Sequence, residues 1–375
     1  MKIGYFINFK WFPASTGAGI HASQLAQKFI EKGHTIHKIF YDYDIPMVQH
    51  YRRRELFKFL ADIDLLYIRV HEGLKTDVYS LLKILKLFNL PVVWEINAPL
   101  SENLSLGQSA GEVNKLSRKR RFLAKFADAA ITTCDELTEY AIQGLGIKKS
   151  FTIPLGSDPE RFSPAKRNPG LLKGYEDYLK VVWAGSAQYT WQALDVICEL
   201  AKQMYAIDKK VVFFIVGKKN NQDLSHLDHD NIKIIDRVVY DDVAPYIAAC
   251  DVGLCLYNHQ PNAKFYRSPL KLFDYMACGL PVISTRVGQI NNIVRHKENG
   301  FLVDDNNIAT IIEYIKFIKN NKEDAQKIGA AARKDIEKYY NWTRVADETE
   351  KIFYTLLPKY RQLQNKVSSY EKKLA

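Results

Sequence analysis

The sequence predicts an α/β protein built from two doubly wound parallel sheets. Three observations carry that prediction. Short stretches rich in Val, Ile and Leu alternate with longer amphipathic stretches along the chain, the pattern of β-α-β units whose strands are buried on both faces. The alternation breaks once, at residues 156–174 (GSDPERFSPAKRNPGLLKG), where Pro, Gly and charge mark a linker. The 375 residues suffice for two domains of ordinary size. No short-period repeat is present. The expectation is therefore two similar α/β domains facing across a cleft, with right-handed crossovers and ligands outside the carboxyl ends of the strands.

In the first half, residues 3–8 form a strand and 11–19 a loop. Residues 20–32 form a helix with Leu25, Ala26, Phe29 and Ile30 on its apolar face. Gly33-His34 turns the chain into a strand at 35–40. A helix at 51–60, a strand at 65–70, a helix at 77–88 and a strand at 91–96 follow. A helix at 113–127, a strand at 129–133, a short helix at 135–143 and a strand at 151–154 complete this half. The second half starts with a strand at 180–184, a helix at 191–205 and strands at 210–216 and 232–235. A helix at 241–249 and a strand at 252–256 come next.

Residues 265–288, FYRSPLKLFDYMACGLPVISTRVG, are the stretch around which the second half is arranged. Pro269 suits a first helical position. Leu270, Phe273, Met276 and Ala277 recur at helical spacing, and Cys278-Gly279 ends the run. Residues 281–285 form a buried strand closed by Gly288. A strand at 300–303 and helices at 307–319, 324–339 and 342–360 follow, with a polar tail at 366–375. The helix N-terminus near Ser268 offers free N–H groups and a positive dipole end to phosphate. Asp274, on the second turn, could accept hydrogen bonds from sugar hydroxyls. Together they suggest a sugar-nucleotide site.

Composition bounds the function. A hydrophobic share of 47% and a charged share of 25% are those of a globular protein. The five cysteines form no CxxC pair and read as reduced core thiols of a cytosolic protein rather than metal ligands. No signal peptide or bilayer-length apolar run is present. Cytoplasmic placement is expected, with a peripheral position on the membrane's cytoplasmic face open. The net charge is +11, and residues 115–125 (KLSRKRRFLAK) hold six basic residues and no acid. Arg52-Arg53-Arg54 is a second cluster. Each is either a solvated helix face or a patch for an anionic membrane surface or acceptor. No DNA- or RNA-binding motif accompanies them, so nucleic acid is not an expected partner.

Several motifs bear on chemistry. Gly17-Ala18-Gly19-Ile20-His21-Ala22 matches G-x-G-x-x-A, but a long loop separates it from the preceding strand. It is either a turn needed for chain geometry or a helix N-terminus presenting N–H groups to an anion. His21 is the one histidine near it. Asp42-Tyr43-Asp44 is a D-x-D, yet Asp62-Ile63-Asp64 and Asp228-His229-Asp230 repeat that spacing, so metal ligation is not expected. Glu95 and Asn97 follow a strand directly and are either acceptor contacts or turn residues. Gly217, before Lys218 and Lys219, and the pair Arg237-Val238 end strands where a nucleotide could border them. There is no serine-hydrolase elbow, zinc-binding H-E-x-x-H or P-loop.

The chain resembles the retaining glycosyltransferases of family 4, with the GT-B fold. The resemblance spans essentially all of it. It rests on Gly17 and Gly19 with Gly33-His34, on Ile153-Pro154-Leu155-Gly156-Ser157-Asp158 with Phe162 and Pro164, and on Gly185-Ser186. SPLKLFDYMACGLPVI, residues 268–283, is the most specific segment, and Tyr340-Asn341-Trp342 also fits. The resemblance implies an acceptor-binding Rossmann-like domain at 1–165, a nucleotide-sugar-binding one at 175–340, and a helix at 341–375 returning to the first. It implies a nucleoside-diphosphate sugar as donor, a sugar, lipid-linked or other glycan acceptor, and no metal or other cofactor. Backbone N–H groups near Ser268, Pro269, Leu270 and Lys271 would meet the diphosphate. Asp274, where the family usually has Glu, would take the ribose hydroxyls. Arg237 and Val238 would border the base, and Gly17 to Gly19 the sugar phosphate or acceptor.

Two departures stand out. Tyr266 occupies the place of the family's first acid, which contacts the transferred sugar. The segment after Gly185, Ser186-Ala187-Gln188-Tyr189-Thr190-Trp191-Gln192, lacks the family's Arg and Lys. Lys271 and Lys264, ahead of Lys218, are the substitute cations. The expected activity is metal-independent transfer of a sugar with retention, in cell-surface polysaccharide, glycolipid or glycoconjugate synthesis. It would proceed by electrostatic stabilisation of the departing diphosphate, with domain closure excluding water. A catalytically silent nucleotide-binding subunit and an NAD-dependent oxidoreductase are the rival expectations.

Overall fold

A computed structural model of the protein describes residues 1–7, 16–39, 47–70, 82, 89–187, 189–218, 224–236, 238–258 and 264–357. The chain forms two compact units, Met1–Pro154 with Thr343–Ala375, and Leu155–Trp342.

The first unit runs β1 (Lys2–Ile7), α1 (Gly17–Glu31), β2 (Thr35–Ile39), β3 (Val48–Tyr51), α2 (Leu56–Asp62), β4 (Leu65–Val70), β5 (Val92–Ile96), α3 (Ala110–Ala124), β6 (Ala129–Thr132), α4 (Asp135–Glu139) and β7 (Ser150–Thr152). Its strands form one sheet in the order β3-β2-β1-β4-β5-β6-β7, all parallel. The order reverses between β1 and β4. Every residue of β4 is buried, as a parallel strand covered on both faces requires. The strand β3 replaces the start of the helix expected at 51–60. Val48 and Tyr51 turn inward while Gln49 is exposed, and four residues at an edge give too short a pattern to read. Tyr51 anchors this edge through its hydroxyl, which donates to Asp62 at 2.6 Å. The helix expected at 77–88 lies, except for Leu82, outside the described residues.

The second unit runs β8 (Leu179–Ala184), α5 (Leu194–Ile207), β9 (Val211–Lys218), β10 (Ile232–Asp236), α6 (Val243–Ala248), β11 (Val252–Cys255), α7 (Leu270–Ala277), β12 (Val282–Thr285), α8 (Ile290–Ile293), β13 (Phe301–Val303), α9 (Ile308–Asn320) and α10 (Lys322–Tyr339). The sheet order is β10-β9-β8-β11-β12-β13, again all parallel. This repeats the topology of the first sheet's β3-β2-β1-β4-β5-β6, and its order reverses between β8 and β11. One face is filled by Ile197, Leu200 and Met204 of α5 with Ile311, Ile315 and Ile318 of α9, packed on Val181, Phe213, Ile215 and Leu254. α7 lies close to β11, where Gly253 leaves room for the Tyr275 ring.

The stretch 156–174 is not a linker. It belongs to the second unit. Ser157 and Phe162 are fully buried, and Arg333 of α10 donates to the carbonyl of Phe162 at 3.2 Å. Residues 164–171 within it are exposed, so its polar composition reflects a surface stretch of the second unit together with the internal bonds of its first part. The last helix, α11 (Trp342–Leu356), returns the chain to the first unit. There Phe353 packs on Phe29 and Tyr67 with ring centroids 5.7 and 5.2 Å apart. Glu350 meets His34 at 2.7 Å and Lys32 at 3.0 Å.

Candidate functional site

In the second unit, Gly185 and Gly217 meet at the carboxyl ends of β8 and β9, beside the point where strand order reverses. Gly217 has φ near 121°, and a Cβ there would stand 2.1 Å from the Gly185 carbonyl oxygen. Only glycine fits so close a crossing. The Gly185 amide donates to the Val216 carbonyl at 3.0 Å. Above Gly185 lies the ammonium of Lys271, so close that a Cβ on Gly185 would be 2.9 Å from it. Thus α7 brings a cation to a loop whose own sequence has none.

Lys271 is held from two sides. Its Nζ donates to Gln192 Oε1 at 2.6 Å and stands 3.9 Å from the Trp183 ring centroid. Gln192 in turn donates from Nε2 to the Ser186 carbonyl at 3.2 Å. Burial brings the ammonium's pKa down to about 7, with the Cys255 thiol acting weakly the other way. A neutral amide and an indole face flank the ammonium.

The start of α7 is fixed by bonds to neighbouring segments. The Tyr275 hydroxyl accepts the Ala184 amide at 2.6 Å, and Ser268 Oγ accepts the Leu155 amide at 3.2 Å. Pro269 is the cap residue, with φ −79° and ψ 115°, and the helix proper begins at Leu270, one residue later than expected. No side chain caps this end, so its first-turn amides carry no side-chain acceptor.

Asp274, for which the resemblance implies contact with ribose hydroxyls, is bonded within the second unit. It is 4% exposed. Ser157 Oγ donates to its Oδ1 at 2.6 Å, and the Tyr240 hydroxyl lies 3.3 and 3.4 Å from its two oxygens. Burial pushes the carboxyl up to about 7, against the opposing hydrogen bonds of Ser157 and Tyr240. Aspartate is one methylene shorter than glutamate, and its carboxyl stays inside the unit. It ties the 157 segment and Tyr240 to α7.

The other expected residues are scattered in accessibility. Tyr266, Ser268 and Leu270 are half-buried, while Lys264 is exposed. Ser186 and Val238 are half-buried. Arg237 and Lys219 lie outside the described residues, as do Asp42 and Asp44, and the Lys218 side chain is likewise not described. Asp62 and Asp64 are engaged by Tyr51 and by the Lys2 amide. Sequence reasoning missed Gln192, Ser157 and Tyr240 as partners of the two charged groups on α7. It also missed Arg267, whose guanidinium lies 4.2 Å from the Trp191 ring centroid. The signal available was a basic residue directly ahead of Ser268.

In the first unit, Thr16 Oγ1 accepts the Gly19 amide at 3.1 Å and so caps α1 itself. Gly17 is exposed, Ala18 half-buried and Gly19 buried. Beneath them is an ionic cluster. Arg69 of β4 stands opposite Glu95 of β5 in the parallel register and donates to both Glu95 and His21, the latter at 2.8 Å. Asn97 Nδ2 donates to Glu95 Oε1 at 2.6 Å. His21, Arg69 and Glu95 are 3%, 4% and 1% exposed. Burial drives His21 down to about 3, and the Arg69 charge pushes the same way against Glu95. For Glu95 burial alone would raise the pKa, but Arg69, His21, Asn97 and Tyr67 outweigh it and keep the carboxylate ionised. Glu95 and His21 are therefore internal ties between α1 and the sheet. Asn97, half-buried, is the one of the three with access to solvent. The sequence signal was Arg69 itself, a lone charge within an apolar strand.

The basic run at 115–125 is one face of α3 and its cap. Ser109 and Glu112 cap the helix reciprocally. Lys115, Arg118, Arg121 and Lys125 are exposed, with Phe122, 46% exposed, among them. Arg120 differs from the expectation of a solvated base. It is buried and donates to the Ala98 carbonyl at 3.0 Å. All five cysteines are buried and unpaired. Among the described residues no helix is long and apolar enough to cross a membrane.

Residues 179–321 match the family model described as glycosyl transferases group 1. The chain is 26% identical over 167 residues to N-acetyl-alpha-D-glucosaminyl L-malate synthase of Bacillus anthracis, covering 44% of this chain and 42% of that one. It is 30% identical over 148 residues to an uncharacterized glycosyltransferase of Methanocaldococcus jannaschii, covering 40% and 38%. The chain thus spans about two fifths of the length of these relatives. Among solved structures, sucrose-phosphate synthase from Thermosynechococcus elongatus superposes with a TM-score of 0.72 at 16% identity, covering 97% of this chain and 99% of that one. Anabaena HepE, in complex with UDP, superposes with a TM-score of 0.71 at 16% identity, covering 95% and 100%. The family match lies on the second unit, and the likeness to solved structures along nearly the whole length shows that the chain has the GT-B fold.

Proposed function

We propose that this chain transfers a sugar from a nucleoside-diphosphate sugar to an acceptor hydroxyl, with retention and without a metal ion. The observation that carries the reading is Lys271, a cation held over Gly185 at the end of β8 by Gln192 and Trp183. The bond from sugar to diphosphate breaks as the acceptor oxygen attacks the same face of the sugar. Lys271 and the first-turn amides of α7 stabilise the charge developing on the departing diphosphate. The second unit holds the donor, which accords with HepE having been solved with UDP and with UDP-glucose. The first unit serves the acceptor through the Gly17–Gly19 turn and Asn97. Synthesis of a glycolipid, surface polysaccharide or other glycoconjugate is the fitting setting, at the cytoplasmic face of a membrane. The exposed bases of α3 around Phe122 support that placement, since a basic stripe with an apolar ring suits an anionic lipid surface.

A thermal-shift panel of UDP-, GDP- and ADP-sugars tests donor binding, because a specific ligand raises apparent stability by mass action. Mass spectrometry of products from the sugars that bind then tests transfer. Lys271→Ala should abolish turnover and leave the fold intact. A Lys271→Ala variant with unchanged turnover would overturn the assignment. Tyr266 and the buried Asp274 favour one alternative, a nucleotide-binding subunit without catalysis. Binding with neither transfer nor hydrolysis would select it.

A further inference from the structure

The carboxyl ends of β12 and β13 border a cavity of about 510 Å³, a size that accommodates a small molecule. Arg286 follows β12, Asp304 and Asp305 follow β13, His296 precedes β13, and Thr310 and Tyr314 belong to α9; all six line the cavity. It lies wholly within the second unit. β13 is an edge strand, three strand spacings or about 14 Å from β8 and its Gly185. None of the lining residues belongs to the site around Lys271.

The polar groups are held by bonds that leave their other edges unused. The Leu302 amide donates to His296 Nδ1 at 3.1 Å. Burial, with the Lys297 and Arg286 charges, holds the imidazole's pKa below its ordinary value against Asp304. The ring is therefore neutral near neutrality and carries its single N–H on Nε2. The Tyr314 ring is stacked on Phe301, with centroids 4.8 Å apart, and meets His296 at 5.7 Å. The Arg286 amide donates to the Val303 carbonyl at 2.9 Å and its Nε to Asp304 Oδ1 at 2.7 Å. That leaves its terminal amino groups and Asp304 Oδ2. Asp305 and Asn306 stand at φ 49° and 53°, and Asn306 Nδ2 pins their turn by donating to the Tyr257 carbonyl at 3.0 Å. Side chains held in this way lose little freedom when a ligand arrives.

The chemistry of the lining is mixed. Arg286 and His296 Nε2 donate, the carboxylates of Asp304 and Asp305 accept, and the hydroxyls of Thr310 and Tyr314 do either. A phosphate would face two carboxylates. The start of α9 offers it little, since Asn307 Oδ1 already accepts the Thr310 amide at 3.0 Å. A metal ion would face the guanidinium. A neutral molecule bearing several hydroxyls, each a donor and an acceptor at once, satisfies the whole set.

We propose that this cavity is a carbohydrate-binding site, taking a sugar or short stretch of a neutral glycan, and separate from the nucleotide-sugar site. It goes beyond the transfer reading and needs no nucleotide. The second unit would hold a glycan here whether or not a donor is bound.

Saturation-transfer NMR of the full chain with maltose, cellobiose, mannobiose and diacetylchitobiose, beside inorganic phosphate, tests this. His296→Asn keeps an acceptor for the Leu302 amide and removes the Nε2 N–H. Tyr314→Phe removes the hydroxyl and keeps the ring. Each should weaken the disaccharide that binds best by about 2- to 10-fold in NMR titration, the range for one net hydrogen bond. Lys271→Met should bind that disaccharide as the wild type does. Circular dichroism and the melting temperature confirm that each variant folds. Absence of disaccharide binding to the wild type would overturn the assignment, as would equal binding by His296→Asn and Tyr314→Phe. Loss in Lys271→Met with retention in the other two would put the sugar at the nucleotide-sugar site and overturn it too. Binding of phosphate in place of the disaccharides would overturn the ligand class.

Discussion

Binding of a nucleotide sugar should draw a proton onto Lys271, and the size of that uptake follows from the site. The two phosphates of a nucleotide sugar do not titrate near neutrality, so uptake reports on the protein. With a pKa of about 7, the ammonium is about one-tenth protonated at pH 8 and about nine-tenths at pH 6. A negative charge about 4 Å away contributes roughly 4 kcal/mol in surroundings of intermediate polarity. That is about three pKa units, enough to keep the lysine protonated at both pH values. Binding should therefore take up about 0.9 proton at pH 8 and about 0.1 at pH 6, and be about tenfold weaker at pH 8. Calorimetry in Tris and in HEPES, which differ in ionisation enthalpy, measures the uptake. Lys271→Met should abolish the pH difference. It should also raise the ligand-free melting temperature, because burial penalises the charge it removes; with partial solvent screening this amounts to about 1–3 kcal/mol. Absence of uptake at pH 8, or uptake that persists in Lys271→Met, would refute a depressed lysine facing the diphosphate.

Three further outcomes are expected. The Asp274 carboxyl is raised from 3.8 to about 7 by burial, so between those values the folded state binds more protons than the unfolded one. Stability should fall by about 4 kcal/mol as pH rises through that window, and Asp274→Asn should flatten this slope in urea unfolding at pH 5 and 7.5; parallel wild-type and variant curves would exclude it. Glu95→Gln should cost about 3–5 kcal/mol because Arg69 is left as a buried cation, and adding Arg69→Met should restore much of the loss in a double-mutant cycle. Gly217→Ala should lower stability by about 1–3 kcal/mol from the strained φ and by a similar amount from the approach to Gly185, measured by chemical denaturation.

Much of the fold was legible because parallel α/β architecture writes itself locally. Strands such as 65–70 and 211–216 are short apolar runs, and helices such as α5 and α9 carry one apolar face. The edge strand β3 was illegible because two inward side chains in four residues make no period. The stretch 156–174 misled for a related reason: polar residues on the surface of a unit look the same in sequence as polar residues in a linker. The glycines at 185 and 217 were recognisable as strand ends, but their mutual contact was not, since it joins neighbouring strands rather than neighbouring residues.

The fate of charged groups needed the tertiary structure most. By itself the sequence determined two doubly wound α/β units and the contiguous segment at 268–283, and it offered Lys271 and Lys264 as expected cations for a loop after Gly185 that has none. Periodicity and a short contiguous motif suffice for those. Only the structure decided that Asp274 and Glu95 face inward to Ser157, Tyr240 and Arg69, while Lys271 and Arg267 reach the loop beyond Gly185. Whether a carboxylate meets a ligand or a neighbouring hydroxyl depends on burial and on partners over a hundred residues away, such as Ser157 for Asp274. Such partners are set by how helices and strands pack, and no local pattern encodes them.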